Sequence, residues 1–122
     1  MNFAHIFDRD DNTRTLSPGE RLIEAGQSVD ELYVIIEGAA DIVVGGETVE
    51  KAERGSIVGE LSMIDHSPAC ASVVASTKLK VASVDQRRFT FLIQQHPTFA
   101  IEVMKVMAAR LRNMDAEKVT AH

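Results

Sequence analysis

Few residues of this chain are typed and spaced for chemistry. The four histidines (His5, His66, His96, His122) and the single cysteine, Cys70, lie far apart, and no two have metal-site spacing. No His-x-His element occurs, so no metal is expected. Glu60 and Asp65 read as an incidental pair of carboxylates, and no nucleophile stands beside a readable base. The chain is therefore not expected to be an enzyme. More suggestive is Gly59-Glu60-Leu61-Ser62, followed by Pro68-Ala69-Cys70-Ala71-Ser72. A glycine turn entering a short helix can aim backbone N–H groups at an anion and let it approach closely. The N–H groups of Cys70 and Ala71 offer further donors, and Glu60 offers an acceptor. Each residue also has a plainer reading. Gly59 can be a turn glycine, and Glu60 a helix-start acid favoured by the helix dipole. Ser62 and Ser72 can face solvent or cap a strand. Cys70 is either a thiol of lowered pKa beside an anion-binding turn or a small buried hydrophobe, the commoner fate of free cysteine. Arg87-Arg88 and Arg110-Leu111-Arg112 read most simply as solvated helix faces.

These groups must be positioned by 122 residues, enough for one domain and not comfortably two. Composition is 45% hydrophobic and 25% charged, as in ordinary globular chains. It is also lopsided. All seven glycines precede residue 60; residues 1–60 carry a net charge of −8, and residues 61–122 carry +3. A pI near 5.3 and the lack of tryptophan argue against a nucleic-acid binder. No apolar run approaches the roughly 20 residues that span a bilayer. Met1–Asp8 is not a signal peptide. One cysteine cannot form an internal disulfide, so a cytoplasmic setting is expected.

Turn residues recur at Pro18-Gly19, Gly26, Gly38, Gly45-Gly46, Gly55 and Gly59, a spacing that suits an all-β sandwich or roll. Between them lie β-prone runs at 21–23, 32–36, 40–44, 48–52 and 56–58, with two more at 71–75 and 79–84. Gly45-Gly46 predicts a tight hairpin. In the last run Leu79, Val81 and Ser83 alternate with Lys80, Ala82 and Val84, the pattern of a half-buried strand. Residues 8–15 read as a polar loop, and 2–7 as a short helix with Phe3, Ile6 and Phe7 on one side. After Val84 the period turns helical. Asp85 is the expected N-cap of a helix over about 85–95, and Pro97 ends it and opens another over about 97–115. In that last helix Phe99, Val103 and Val106 form a core row. Ala100, Met104, Met107, Leu111 and Met114 repeat by 4, 3, 4, 3, a heptad-like seam that predicts a helix-mediated homodimer.

Two segments carry a family likeness. Leu22-Ile23-Glu24-Ala25-Gly26 running through Leu32-Tyr33-Val34-Ile35-Ile36-Glu37-Gly38 resembles the first signature of cyclic-nucleotide-binding domains, and Pro18-Gly19-Glu20 fits just upstream. Val58-Gly59-Glu60-Leu61-Ser62-Met63-Ile64, with Pro68-Ala69-Cys70-Ala71-Ser72-Val73-Val74-Ala75, resembles that family's phosphate-binding cassette. The resemblance covers about residues 16–115. It implies a mainly β fold: a jelly-roll-like β-roll (double-stranded β-helix) of about eight strands over 16–84. A short cassette helix near 59–64 and two closing helices, within a helical part reaching about 118, complete a single domain over 1–122. It also implies that the ligand groups lie among Gly59, Glu60, Leu61, Ser62, Ala69, Cys70, Ala71 and Ser72, with Glu60 taking the ribose 2′-hydroxyl.

The family places an arginine after the cassette proline, where it bonds the phosphate with charge assistance. Here that position is Ala69, or Cys70 with a one-residue shift, and neither is basic. Losing one partner of a buried charge pair costs about 2–5 kcal/mol, a weakening of roughly 30- to several-thousand-fold. The expectation is therefore a non-catalytic ligand-sensing or regulatory module with a degenerate cassette and a dimer helix. Its candidate ligand is a small anion or cyclic nucleotide, and no cofactor is required. Two alternatives stand beside it. One is a ligand-free interaction or scaffold domain. The other is a true cyclic-nucleotide sensor using a replacement cation from His66, Arg110 or Arg112. In transcription factors of the family a helix-turn-helix domain follows the last helix; only a few residues follow Asp115, so no DNA partner is expected. The chain reads as a standalone sensor or as a piece of a larger regulator, transporter or channel.

Overall fold

The computed structural model describes residues 4–120, with side chains through residue 113. A 3-10 turn, Ala4–Phe7, precedes β1 (Thr13–Leu16), β2 (Arg21–Ile23), β3 (Glu31–Glu37), β4 (Ala40–Val44), β5 (Glu47–Ala52) and β6 (Ile57–Val58). Then come α1 (Glu60–Asp65), β7 (Ser72–Ala75), β8 (Leu79–Asp85), α2 (Gln86–Gln95) and α3 (Pro97–Thr120). The strands form two antiparallel four-stranded sheets, ordered β1-β8-β3-β6 and β2-β7-β4-β5. The fold is the β-roll with closing helices that the resemblance implies.

Two hydrophobic cores explain the strand sequences. One lies between the sheets and holds Leu16, Ile23, Ile35, Ile42, Val58, Val73 and Val81. The other lies between the first sheet and the helices and holds Phe7, Leu32, Val34, Ile36, Met63, Val84, Phe99 and Val103. β3 feeds both cores, so its run Leu32–Ile36 is apolar throughout rather than alternating. β8 departs from its half-buried expectation for the same reason. Leu79 and Val81 enter the first core, while Ala82 and Val84 enter the second, and all four are fully buried.

The β4–β5 hairpin closes as predicted. Val44 pairs with Glu47 across Gly45 (φ 60°) and Gly46 (φ 83°), the positive angles of a primed turn. Asp85 caps α2 by accepting from the Arg88 N–H at 2.8 Å. Residues 13–15, expected to be loop, belong with Leu16 to an edge strand. Thr13–Leu16 pairs with β8, burying Leu16 and leaving Arg14 and Thr15 outward. The expected N-terminal helix is the short 3-10 turn, with Phe7 buried; Phe3 lies outside the described residues.

α3 is longer than expected, and its faces are rotated. Phe99 and Val103 are core as predicted. Met107, placed in the seam by its heptad spacing, instead packs against the helix-side core, and Ala100 is half-buried. Among the described side chains of α3, Ile101, Met104, Ala108 and Leu111 form an exposed apolar row spaced 3, 4, 3, with Ala109 exposed beside it. The exposed row is therefore displaced around the helix by about one position from the expected seam, sharing Met104 and Leu111 with it. The Met114 side chain lies outside the described residues. Among the described residues no helix is long and apolar enough to cross a membrane.

Candidate ligand-binding site

The cassette starts where β6 ends. Gly59 has φ 81° and stands at the N-cap of α1. A Cβ there would come within 3.0 Å of the Glu31 carbonyl oxygen and 3.2 Å of Ile23 Cδ1, so both conformation and space require glycine. The turn delivers Glu60 into the interior, with a side chain only 2% exposed. Burying a carboxylate this deeply needs a countercharge. Arg110, fifty residues away on α3, supplies it.

Arg110 Nη1 donates to Glu60 Oε1 at 2.5 Å and to the Ile57 carbonyl at 2.8 Å. Nε and Nη2 straddle Glu50 of β5, donating to its two oxygens at 3.3 and 3.0 Å. Four of the five guanidinium N–H donors are thus engaged. Burial alone would lower the Arg110 pKa. The hydrogen-bonded Glu50 and the adjacent Glu60 outweigh it and hold the guanidinium above its ordinary value. Glu60 Oε2 is buried and has no hydrogen-bond partner among the described residues.

Beside this triad lies a cavity of about 680 Å³. Ile23, Ile42, Val44, Val49, Val58 and Val73 give it apolar walls, and among the described residues its charged lining is Glu50, Glu60 and Arg110. Of the eight residues expected at the cassette, seven line it: Gly59, Glu60, Leu61, Ser62, Ala69, Cys70 and Ala71. Ser72 does not. Its hydroxyl instead accepts from the Ala25 N–H at 3.0 Å and from Arg21 Nη1 at 3.2 Å, fastening the turn after β2. Ser72 is thus the strand-end serine of its plainer reading.

Ala69 stands where the family's arginine is expected. Its N–H donates to the Gln27 carbonyl at 2.9 Å, and its carbonyl accepts from the Gly26 N–H at 2.8 Å. Cys70 is exposed at the cavity rather than buried, which corrects the small-hydrophobe reading. Of the three possible replacement cations, only Arg110 reaches the cavity; His66 and Arg112 are exposed elsewhere. Reading Arg110 as a solvated face was wrong for the same reason. A signal was present in the sequence. Arg110 extends the core row Phe99, Val103, Val106 by one more step of four, and a base in a core-facing row requires a buried acid. Which acid could not be read, because Glu50 is separated from it by sixty residues.

A two-sheet β-roll, with a short helix between β6 and β7 and two helices closing one side, defines a class of small-ligand regulatory domains. Residues 13–96 match the model of the cyclic nucleotide-binding domain, and the chain belongs to that family. It is 34% identical over 83 residues to the cAMP-dependent protein kinase regulatory subunit of Colletotrichum orbiculare, a match covering 66% of this chain and 21% of the fungal one. Among solved structures it is similar to the Thermus thermophilus catabolite activator protein. That match has a TM-score of 0.74 and 25% identity, over 86% of this chain and 52% of that one. It is also similar to the regulatory subunit of a cAMP-independent protein kinase A from Trypanosoma cruzi, solved bound to guanosine. There the TM-score is 0.60 and the identity 31%, over 64% of this chain and 28% of that one. The chain spans about a fifth of the length of the curated relatives it matches.

Proposed function

We propose that this chain is a non-catalytic ligand-sensing module with a degenerate phosphate cassette, which passes ligand occupancy to α3. One observation carries the reading: the divided Glu60 carboxylate. Oε1 is tied to Arg110 of α3, while Oε2, buried beside the cavity, has no hydrogen-bond partner among the described residues. A ligand hydroxyl donated to Oε2 draws on the same carboxylate that anchors the helix. Ligand and helix position are then coupled, provided the ligand binds the two helix positions unequally. Degeneracy is supported by Ala69 and by the preoccupation of Arg110 with Glu50 and Glu60. The guanosine-bound Trypanosoma cruzi relative supports a protein of this fold taking a ligand other than a cyclic nucleotide. The exposed row on α3 supports a homodimer as the route by which the change is relayed, in a cytoplasmic setting.

That same row favours a second reading, a ligand-free interaction module working through α3. Thermal melts with about 1 mM cyclic AMP, cyclic GMP, adenosine or guanosine separate the two. Sensing predicts that at least one of them raises the melting temperature of the parent. No shift from any of them leaves the interaction module.

A further inference from the structure

We propose that the cavity takes an uncharged nucleoside in preference to a cyclic nucleotide; this rests on the reading of the cavity as a ligand site. The first ground is charge. Among the described residues Glu50, Glu60 and Arg110 are the only charged ones lining the cavity, and together they carry one negative charge. A cyclic phosphate would add a second within a partly apolar enclosure, where like charges are poorly screened. Arg110 is not free to answer it, since four of its five donors hold the two carboxylates and the Ile57 carbonyl. Turning Arg110 toward a phosphate would strand Glu60, whose side chain is 2% exposed, without its countercharge.

The second ground is the backbone opposite. At the position where a cation would be needed, Ala69 has no charge, and both its backbone polar groups are committed to Gly26 and Gln27. The third is what the cavity lacks. Glu60 Oε2 is a buried acceptor without a donor among the described residues, at the edge of a cavity that Glu60 lines. A ribose 2′-hydroxyl supplies a donor that nucleoside and cyclic nucleotide share; only the nucleoside keeps its 3′- and 5′-hydroxyls as further donors, since the cyclic phosphate esterifies both. The fourth is shape. Val44 and Val49 line the cavity yet remain among the chain's exposed large hydrophobics, and with Ile42 and Val73 they make an apolar lip suited to a planar base. Hydroxyl donors at one end, an apolar body at the other and no net charge describe a nucleoside.

Calorimetric titration of the full chain with adenosine, guanosine, cyclic AMP and cyclic GMP in one buffer tests this. At least one nucleoside should bind at least about tenfold more tightly than the cyclic nucleotide with the same base. The matching 2′-deoxynucleoside should lose about tenfold or more, reporting the hydroxyl on Glu60. Ala69→Arg, checked for an unchanged circular dichroism spectrum, should reverse the order. If a cyclic nucleotide binds the parent as tightly as its nucleoside, the proposal fails and the ligand-sensing reading survives. If none of the four binds at about 1 mM, both fail.

Discussion

Arg110 is the residue on which the cassette and the closing helix both depend. Its guanidinium is 16% exposed and faces Glu60 at 2% and Glu50 at 39%, so its removal affects the two acids differently. Glu50 can turn to water; Glu60 cannot. Arg110→Met should therefore cost about 3–5 kcal/mol of stability in urea unfolding, because a buried charge is left unpaired. The double variant Arg110→Met/Glu60→Leu should recover much of that loss, since nothing charged stays buried. A single variant within about 1 kcal/mol of the parent would mean that Glu60 is not held as a buried carboxylate. Arg110→Lys should restore only part, because an ammonium cannot bridge both acids and the Ile57 carbonyl in one plane. At the far end of α1 the Ser67 hydroxyl and N–H both donate to Asp65, at 2.5 and 3.0 Å, and hold its carboxyl below the ordinary carboxylate value. A depressed folded pKa gives stability that is present above the ordinary carboxylate range and lost as pH falls through the folded value. Ser67→Ala should thus lower stability at neutral pH, and the difference from the parent should shrink as pH falls below the ordinary carboxylate range. A gap between the two proteins that does not vary with pH would assign Ser67 to packing alone.

The junction between the roll and its helices is held by α2. Asp85 ends β8, pairs with Glu31 of β3 and caps α2 through Arg88. Arg88 itself bonds Asp10 at 2.8 Å and the Ser83 carbonyl at 2.9 Å, and lies 5.4 Å from the Phe7 ring centroid. Asp85→Ala should cost about 1 kcal/mol by loss of the cap. Asp85→Asn, which keeps an acceptor oxygen, should cost less, and equal losses in thermal melts would count against the cap as the cause. These elements were legible because each carries a local signal: Asp85 as a cap, Pro97 as a helix opener, Gly45-Gly46 as a primed turn. β1 was not legible. Thr13-Arg14-Thr15 is an edge whose outward residues are polar, and only its pairing with β8, nearly seventy residues on, makes it a strand. β8 misled in the opposite sense, because alternation shows which residues share a face but not that both faces are covered. The candidate site divides along the same line. Gly59 through Ser62 and Ala69 through Ala71 are contiguous motifs and were found. The Glu50–Arg110–Glu60 triad joins three distant elements: Glu60 was legible inside the cassette motif and Arg110 as a base in a core row, while Glu50 left no trace.

α3 ties the molecule together because its two sides meet different surroundings. Phe99, Val103 and Arg110 face the roll, whereas Ile101, Met104, Ala108 and Leu111 face outward. Anything that shifts Arg110 moves the outward row with it, since a helix transmits displacement along its length as a nearly rigid rod. That row has the 3, 4, 3 spacing of a two-helix seam, and Met104 remains 55% exposed. Pairing of the helices from two copies would cover it. The chain should then sediment at twice its 13.4 kDa mass, and Met104→Glu or Leu111→Glu should return it to the single mass. Glutamate is a good helix former, and these side chains touch little of their own fold, so each variant should keep its circular dichroism spectrum. Met107→Glu is the contrasting case. Met107 packs against the core between sheet and helices, so a charge there should lower the melting temperature whether or not a dimer exists. A parent that sediments at 13.4 kDa at about 100 μM removes the dimer, because a seam too weak to form there could not relay a ligand signal.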